Sequence, residues 1–241
     1  MNGLSIQGVE SGYENKVVIK DLSLAVSSSE ETLVLMGPSG CGKTTLLLTI
    51  LGIIAPKKGR ILLNNRDITN LPIERRNIGY LPQDYGLFPH LRVLDNVAYG
   101  LRVRGVSRED REKVALQTIK LVELQGFENR RPHELSGGQR QRAALARALA
   151  IKPDLFLLDE PLANIDEVTK LDVATHLREL LHKLEMPTIL VTHNREDALF
   201  LAERLAIMVD GRIEQSGTVK EILESPRTLL IKKLLTPMAQ Q

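Results

Sequence analysis

The sequence predicts an α/β fold built on a mostly parallel sheet, and three observations predict it. "TLVLMG" (32–37), "DLFLLDE" (154–160) and "PTILVTH" (187–193) are continuous apolar runs, the pattern of strands buried on both faces of a parallel sheet. Helical patterns separate these runs, and strand–helix alternation is what builds such sheets. The composition, 43% hydrophobic and 26% charged over 241 residues, is that of a globular chain long enough to bury a real core.

Each element has its own signal. "TLVLMG" ends at a glycine and reads as a buried strand, and "TTLLLTILGII" after it reads as a helix closed off by "APKKG". "GRILLNNRDIT" alternates like a strand pair turning at Asn64 and Asn65, and "NIGYLPQ" is a strand running into Pro82. From about Phe88 to Ala150 the pattern is helical: "SRED" at 107–110 is a capping signal, and Ala115, Ile119 and Val122 form a stripe. "IMVDGRIE" carries an Asp-Gly turn and reads as a hairpin. The expected organisation is a core of residues 1–88 and 151–215 with an N-terminal antiparallel β part, an inserted α-helical subdomain at 89–150, and a helical tail at 216–241. No repeat, low-complexity tract or Ser/Gly linker interrupts it.

Bulk properties narrow the function. A net charge of +2 gives no argument for a nucleic-acid partner, which needs a strongly basic face. The single cysteine, Cys41, allows no internal disulfide and fits a reducing compartment. The N-terminus lacks a signal-peptide apolar stretch. No apolar run reaches the roughly 18 residues that span a bilayer, so a soluble chain is expected, with any membrane role coming through a partner.

The sharpest chemical signal is "GPSGCGKTT", residues 37 to 45, which matches the phosphate-loop pattern of a glycine, four residues, then Gly-Lys-Ser/Thr. The expected binding segment is Gly37, Pro38, Ser39 and Gly40, followed by Cys41, Gly42, Lys43, Thr44 and Thr45. Its glycines let the backbone curl around phosphate oxygens. Lys43 puts an ammonium on the β and γ phosphates, and the Thr44 hydroxyl is placed to hold Mg²⁺. Cys41, beside Lys43 and a helix start, is expected to have a lowered thiol pKa. Asp159 and Glu160 end a buried strand, where ligands of parallel sheets gather; Asp159 reads as an Mg²⁺ ligand through water and Glu160 as a general base, or the pair simply caps a helix. "HELSGGQRQRAALARAL" (133–149) reads either as a Ser-capped helix or as an anion site on open N–H groups at a helix start.

The combination of "GPSGCGKTT", "LSGGQ" and "LFLLDEP" resembles the nucleotide-binding subunit of an ABC transporter over almost the whole chain. Average composition yields "LSGGQ" by chance in on the order of one chain in several thousand. The resemblance implies a P-loop NTPase (RecA-like) core, ATP and Mg²⁺ as cofactors, and ATP hydrolysis coupled to solute transport. It implies a head-to-tail dimer, with a second copy or a homologous subunit, in which Ser136, Gly137, Gly138 and Gln139 of one chain close on ATP held by the other. Tyr13 matches the aromatic residue that stacks on adenine, with Val18 beside it. Gln83 matches the glutamine that touches Mg²⁺ and the attacking water. His193 matches the histidine on the γ-phosphate, and Asp166 matches the acidic residue linking the two sites. Glu160, His193 and Gln83 are thus the expected catalytic set, with Thr44, Gln83 and Asp159 at the metal.

The sequence departs from the family pattern in two places: Ala163 and Ile165 replace a serine and a leucine, and Asn194 stands where many relatives have Asp. The stretch 71–102 is similar to importer ATPases for spermidine, iron, sulfate, molybdate and sugars. This sequence, ending in a helical tail, is expected to lack their C-terminal regulatory β-domain. An exporter ATPase and a soluble non-transport ATPase of the same family are the alternatives. Four of the eight aromatics lie between residues 80 and 99, where the family receives a permease helix. Tyr85, Phe88 and Leu91 are the expected contact, while Tyr80 and Tyr99 are expected to be ordinary packing. An extracytoplasmic solute-binding protein and a location on the inner face of the membrane complete the expectation.

Overall fold

The computed structural model describes residues 3–14, 16–27 and 32–236. Strands β1 (Gly3–Tyr13), β2 (Lys16–Ser27) and β3 (Thr32–Met36) lead into helix α1 (Lys43–Leu51). Strands β4 (Lys58–Leu63), β5 (Arg66–Asp67) and β6 (Ile78–Leu81) precede helices α2 (Val93–Val103), α3 (Arg108–Leu121) and α4 (Gly137–Leu149). Strand β7 (Leu155–Asp159), helix α5 (Glu167–Leu184), strand β8 (Thr188–Thr192) and helix α6 (Arg195–Leu201) follow. Strands β9 (Arg204–Val209) and β10 (Arg212–Thr218) then lead to helices α7 (Val219–Glu224) and α8 (Leu229–Leu235). The chain divides into two units, Met1–Arg76 with Leu184–Gln241, and Asn77–Lys183. The last five residues of the expected tail lie outside the described residues.

In the first unit an antiparallel sheet runs in the order β2-β1-β4-β5. Along β2, Leu22, Leu24 and Val26 are buried while Asp21, Ser23 and Ala25 are exposed, the alternation of a sheet with one covered face. Asn64 and Asn65, both at positive φ (50° and 63°), close the tight turn between β4 and β5. A second set of strands has β3 parallel to both β8 and β9, with β10 antiparallel to β9. Every residue of β3 and of β8 is buried, as their uninterrupted apolar sequences require.

Two features aim this unit at a ligand. Met36 and Thr192 are register partners in the parallel β3–β8 pair, so Gly37 and His193 leave the sheet side by side at the carboxyl edge. The C-terminal end of α1 is held by Arg76, which is 3% exposed. Its guanidinium donates to the carbonyls of Thr49 (3.1 Å), Ile50 (2.7 Å), Thr69 (2.9 Å) and Leu71 (2.8 Å). A buried cation is tolerated when its donors are satisfied this fully, and here it also faces the negative end of a helix.

The second unit contains the parallel pair β6–β7, in register from Ile78↔Leu155 to Leu81↔Leu158. Pro82 and Asp159 therefore emerge next to one another. The helices of 89–150 share this unit with β6, β7 and most of α5. Ser107 caps α3 by accepting from the Asp110 N–H, as "SRED" foretold. Helix α4 buries Ala143, Ala144, Leu145, Ala146, Ala148 and Leu149, which explains its alanines: a helix covered on several sides needs small residues for neighbours to approach.

Candidate functional site

The phosphate loop joins β3 to α1 in the first unit. Lys43 is 8% exposed, and its ammonium donates to the carbonyls of Gly37 (2.7 Å) and Pro38 (3.0 Å). The charge is thus folded back over the mouth of the loop. The three glycines have different reasons. A Cβ on Gly37 would lie 2.1 Å from the Met208 carbonyl, so this residue is small because β9 passes against it. Gly42 (φ 112°) is the N-cap of α1 and packs on Val18 and Met208. Gly40 (φ 77°) has nothing within 4 Å of the Cβ position, so the cradle is open there. Thr44 is exposed on the first turn of α1, while Thr45 is buried.

Cys41 differs from expectation. Its thiol is 7% exposed, and burial raises its pKa from the ordinary value, outweighing the lowering by Lys43. The charge and helix start that the sequence shows do act on the thiol, but desolvation is stronger.

Tyr13 ends β1 with 52% of its surface exposed, and Val17 is 38% exposed. Val18 lies against Gly42. An exposed aromatic ring of this kind suits a base-stacking platform. His193 is exposed immediately after β8. Asn194, the departure from the family's Asp, caps α6: its Oδ1 accepts from the Asp197 N–H at 2.9 Å, and its own N–H donates to Thr192 Oγ1 at 3.0 Å. An asparagine fills this role as well as an aspartate.

The second unit carries the acidic residues. Asp159 is 4% exposed, and the Tyr80 hydroxyl hydrogen-bonds it. Burial, and then the Asp159 carboxylate, push the Tyr80 phenol well above its usual value, so it remains a donor. Glu160 has φ of 49°, a left-handed conformation that costs a non-glycine residue about 1 kcal/mol or more and recurs at functional sites. Gln83 is exposed, and its carbonyl accepts from Asn164 Nδ2 at 2.6 Å. The carboxyl edge of β6–β7 thus gathers Gln83, Asp159 and Glu160.

Ser136 is the N-cap of α4 in a reciprocal capping box. Its Oγ accepts from the Gln139 N–H (3.3 Å), and its own N–H donates to Gln139 Oε1 (3.0 Å). The Ser-capped reading of this stretch holds, and the cap leaves the Gly137 and Gly138 amides at the positive helix end. The glycines also permit close packing: a Cβ would stand 3.1 Å from the Asn164 carbonyl at Gly137 and 3.1 Å from Val173 at Gly138. Ile165 is buried beside Gly137. Asp166 accepts from the Thr169 N–H (3.0 Å) and Oγ1 (2.7 Å), which lowers its carboxyl pKa. No pattern in the sequence marks this Thr169 contact.

Tyr85 is 4% exposed with φ of 65°, and its hydroxyl has no hydrogen-bond partner; burial pushes its pKa up to about 12. The ring is therefore inside the unit, and the surface belongs to others. Phe88, Tyr99 and Arg147 line a hollow of about 450 Å³. Leu91 and Tyr99 line a neighbouring one of about 250 Å³. Tyr99, 37% exposed, borders both, more than the ordinary packing its sequence suggested.

A parallel sheet edge with a phosphate loop, a buried acid followed by a strained one, and a capped glycine pair define a mononucleotide-binding α/β class. Residues 19–163 match the family model described as "ABC transporter", and the chain belongs to that family. It is 43% identical over 223 residues to the molybdate/tungstate import ATP-binding protein WtpC of Pyrococcus abyssi, covering 92% of this chain and 64% of that protein. It is 42% identical over 228 residues to the spermidine/putrescine import ATP-binding protein PotA of Escherichia coli K12, covering 95% and 60%. The chain thus spans less than two thirds of these relatives' length. Among solved structures, the ATP-binding cassette MJ0796, a dimer in a post-hydrolysis state bound to ADP and Pi, matches at 33% identity with a TM-score of 0.76, over 90% of this chain and 98% of that one. The fold is that of an ABC ATPase cassette.

Proposed function

We propose that this chain is the ATP-binding and ATP-hydrolysing subunit of a membrane importer, acting as a head-to-tail dimer on permease subunits. The observation that carries this reading is the Lys43 loop, open at Gly40, in a chain that also presents the capped Ser136–Gln139 helix start. Lys43 releases its two carbonyls to meet the β and γ phosphates, the amides of the Gly37–Thr45 loop surround them, and Tyr13 with Val18 receives the adenine. Ser136, Gly137, Gly138 and Gln139 serve the nucleotide of the partner, and Asp166 links the two sites.

The residues fit a magnesium ion held together with phosphate. Among the described residues no His/Cys/Asp/Glu cluster holds a metal alone, and Mg²⁺ is ordinarily bound through one or two protein oxygens plus substrate phosphates. In the first unit the exposed Thr44 hydroxyl would supply such an oxygen, and in the second the buried Asp159 carboxylate and the Gln83 side chain would. Such an ion would supply neutralisation of phosphate charge. Glu160 takes the proton of the attacking water, Gln83 orients that water, and His193 donates to the terminal phosphate.

Among the described residues no helix is long and apolar enough to cross a membrane. We assign membrane contact to permease subunits, with a permease helix seated on Phe88, Tyr99 and Leu91 and the chain at the inner face. Aromatic anchors in adjoining hollows suit such a helix. The import names of both relatives favour import, with an extracytoplasmic solute-binding protein in the system.

Glu160→Gln tests the chemistry. ATP binding is expected to persist, hydrolysis to fall 10²- to 10⁴-fold, and a dimer to accumulate with Mg-ATP by light scattering. Hydrolysis at the parental rate contradicts the assignment.

A further inference from the structure

Arg147 lies in the last turn of α4, half-buried, and does three things at once. It donates through Nη1 to the Gly86 carbonyl, and through Nη2 to the Tyr85 carbonyl at 3.1 Å. Its guanidinium carbon lies 5.5 Å from the centroid of the Phe88 ring, within cation–π range. Its target is unusual backbone. Tyr85 (φ 65°) and Gly86 (φ 57°) are consecutive left-handed residues, a pairing that needs outside support when one of them is not glycine. That pair directly follows the turn containing Gln83, closed by the Tyr85 N–H on the Pro82 carbonyl at 2.9 Å. Asn164 holds the other side of the same turn through the Gln83 carbonyl at 2.6 Å.

The turn is therefore gripped at two points, and only one grip comes from the loop after Glu160. The other reaches it from the C-terminal end of the helix that begins at Ser136. A planar guanidinium suits the task, since its two outer nitrogens satisfy two carbonyls while its face lies on a ring. Lysine offers a single point charge and does neither together.

We propose that Arg147 is a positioning residue for Gln83: by fixing Tyr85 and Gly86 in their left-handed conformation it sets where the Gln83 side chain stands during hydrolysis. This rests on the reading that Gln83 orients the attacking water. Arg147 itself touches no substrate. Burial lowers its pKa, and the Asp84 carboxylate opposes that shift.

The test is steady-state Mg-ATP hydrolysis by Arg147→Lys and Arg147→Ala, each alone and combined with Gln83→Ala, with ATP affinity measured by fluorescence titration. Arg147→Lys keeps the charge and the aliphatic stem, so it covers the case in which the alanine variant fails to fold. The expected result is a kcat about 10- to 100-fold lower for Arg147→Lys, with ATP affinity within about twofold of the parent because the Lys43 loop is untouched. Added to Gln83→Ala, the Arg147 change is expected to remove nothing further. Parental kcat in Arg147→Lys, or losses that multiply in the double variant, overturns the proposal. Parental kcat in Gln83→Ala alone overturns the role of Gln83 itself, and the Arg147 proposal with it.

Discussion

At the scale of single residues, the phosphate loop shows two effects competing at one thiol. Lys43 and the start of α1 favour the Cys41 thiolate, while burial disfavours it more. The raised pKa means that little thiolate exists at neutral pH and that the population grows only as pH climbs past the ordinary range. Iodoacetamide labelling followed by mass spectrometry is therefore expected to be slow at about pH 7.5 and to accelerate beyond about pH 9. ATP seated over the loop slows it further. A rate already at its plateau near neutrality contradicts the account. The Lys43 position was legible because the motif fixes residue type and spacing together. What the sequence could not show was that Gly37 is a packing requirement, since the Met208 carbonyl that excludes a side chain comes from a strand more than 160 residues further along. Arg147 was hidden for the same reason: among the arginines of "GGQRQRAALARAL" nothing marks the one that meets Tyr85 and Gly86.

The strands β3, β7 and β8 were legible as uninterrupted apolar runs, and their carboxyl ends located Lys43, Glu160 and His193. Turns with Asn-Asn and Asp-Gly were legible because left-handed backbone selects those residues. The effect of Asn194 was not, because its meaning depends on which N–H it faces. In the structure it caps α6, and that gives a sharp expectation. Asn194→Asp keeps the cap and is expected to change stability by no more than a few tenths of a kcal/mol, whereas Asn194→Ala costs about 1 kcal/mol. Thermal denaturation of both variants decides it; equal losses rule out the cap. The same logic applies to the burial of Tyr85. The aromatic cluster at 80–99 suggested Tyr85, Phe88 and Leu91 as a contact, yet tertiary packing sends Tyr85 inside with an unpaired hydroxyl and leaves Phe88 and Tyr99 lining a hollow.

For the whole molecule, the proposed dimer depends on Ser136 and its glycines acting on the partner's nucleotide. The alternative is a helix cap and nothing more, which the capping box alone explains. Mixing two damaged proteins separates these most directly. Lys43→Ala disables a chain's own phosphate loop, and Ser136→Arg blocks what α4 offers its neighbour. Each homodimer then has two damaged sites and is expected to be nearly inactive. In a mixed dimer one site gathers both lesions and the other is whole, since a two-fold arrangement pairs each loop with the other chain's helix start. ATPase activity is therefore expected to appear on mixing and to peak near equal proportions, with mixed dimers verified by differential tags and nucleotide binding checked at each site. A titration that stays flat while mixed dimers are present would contradict action across the dimer.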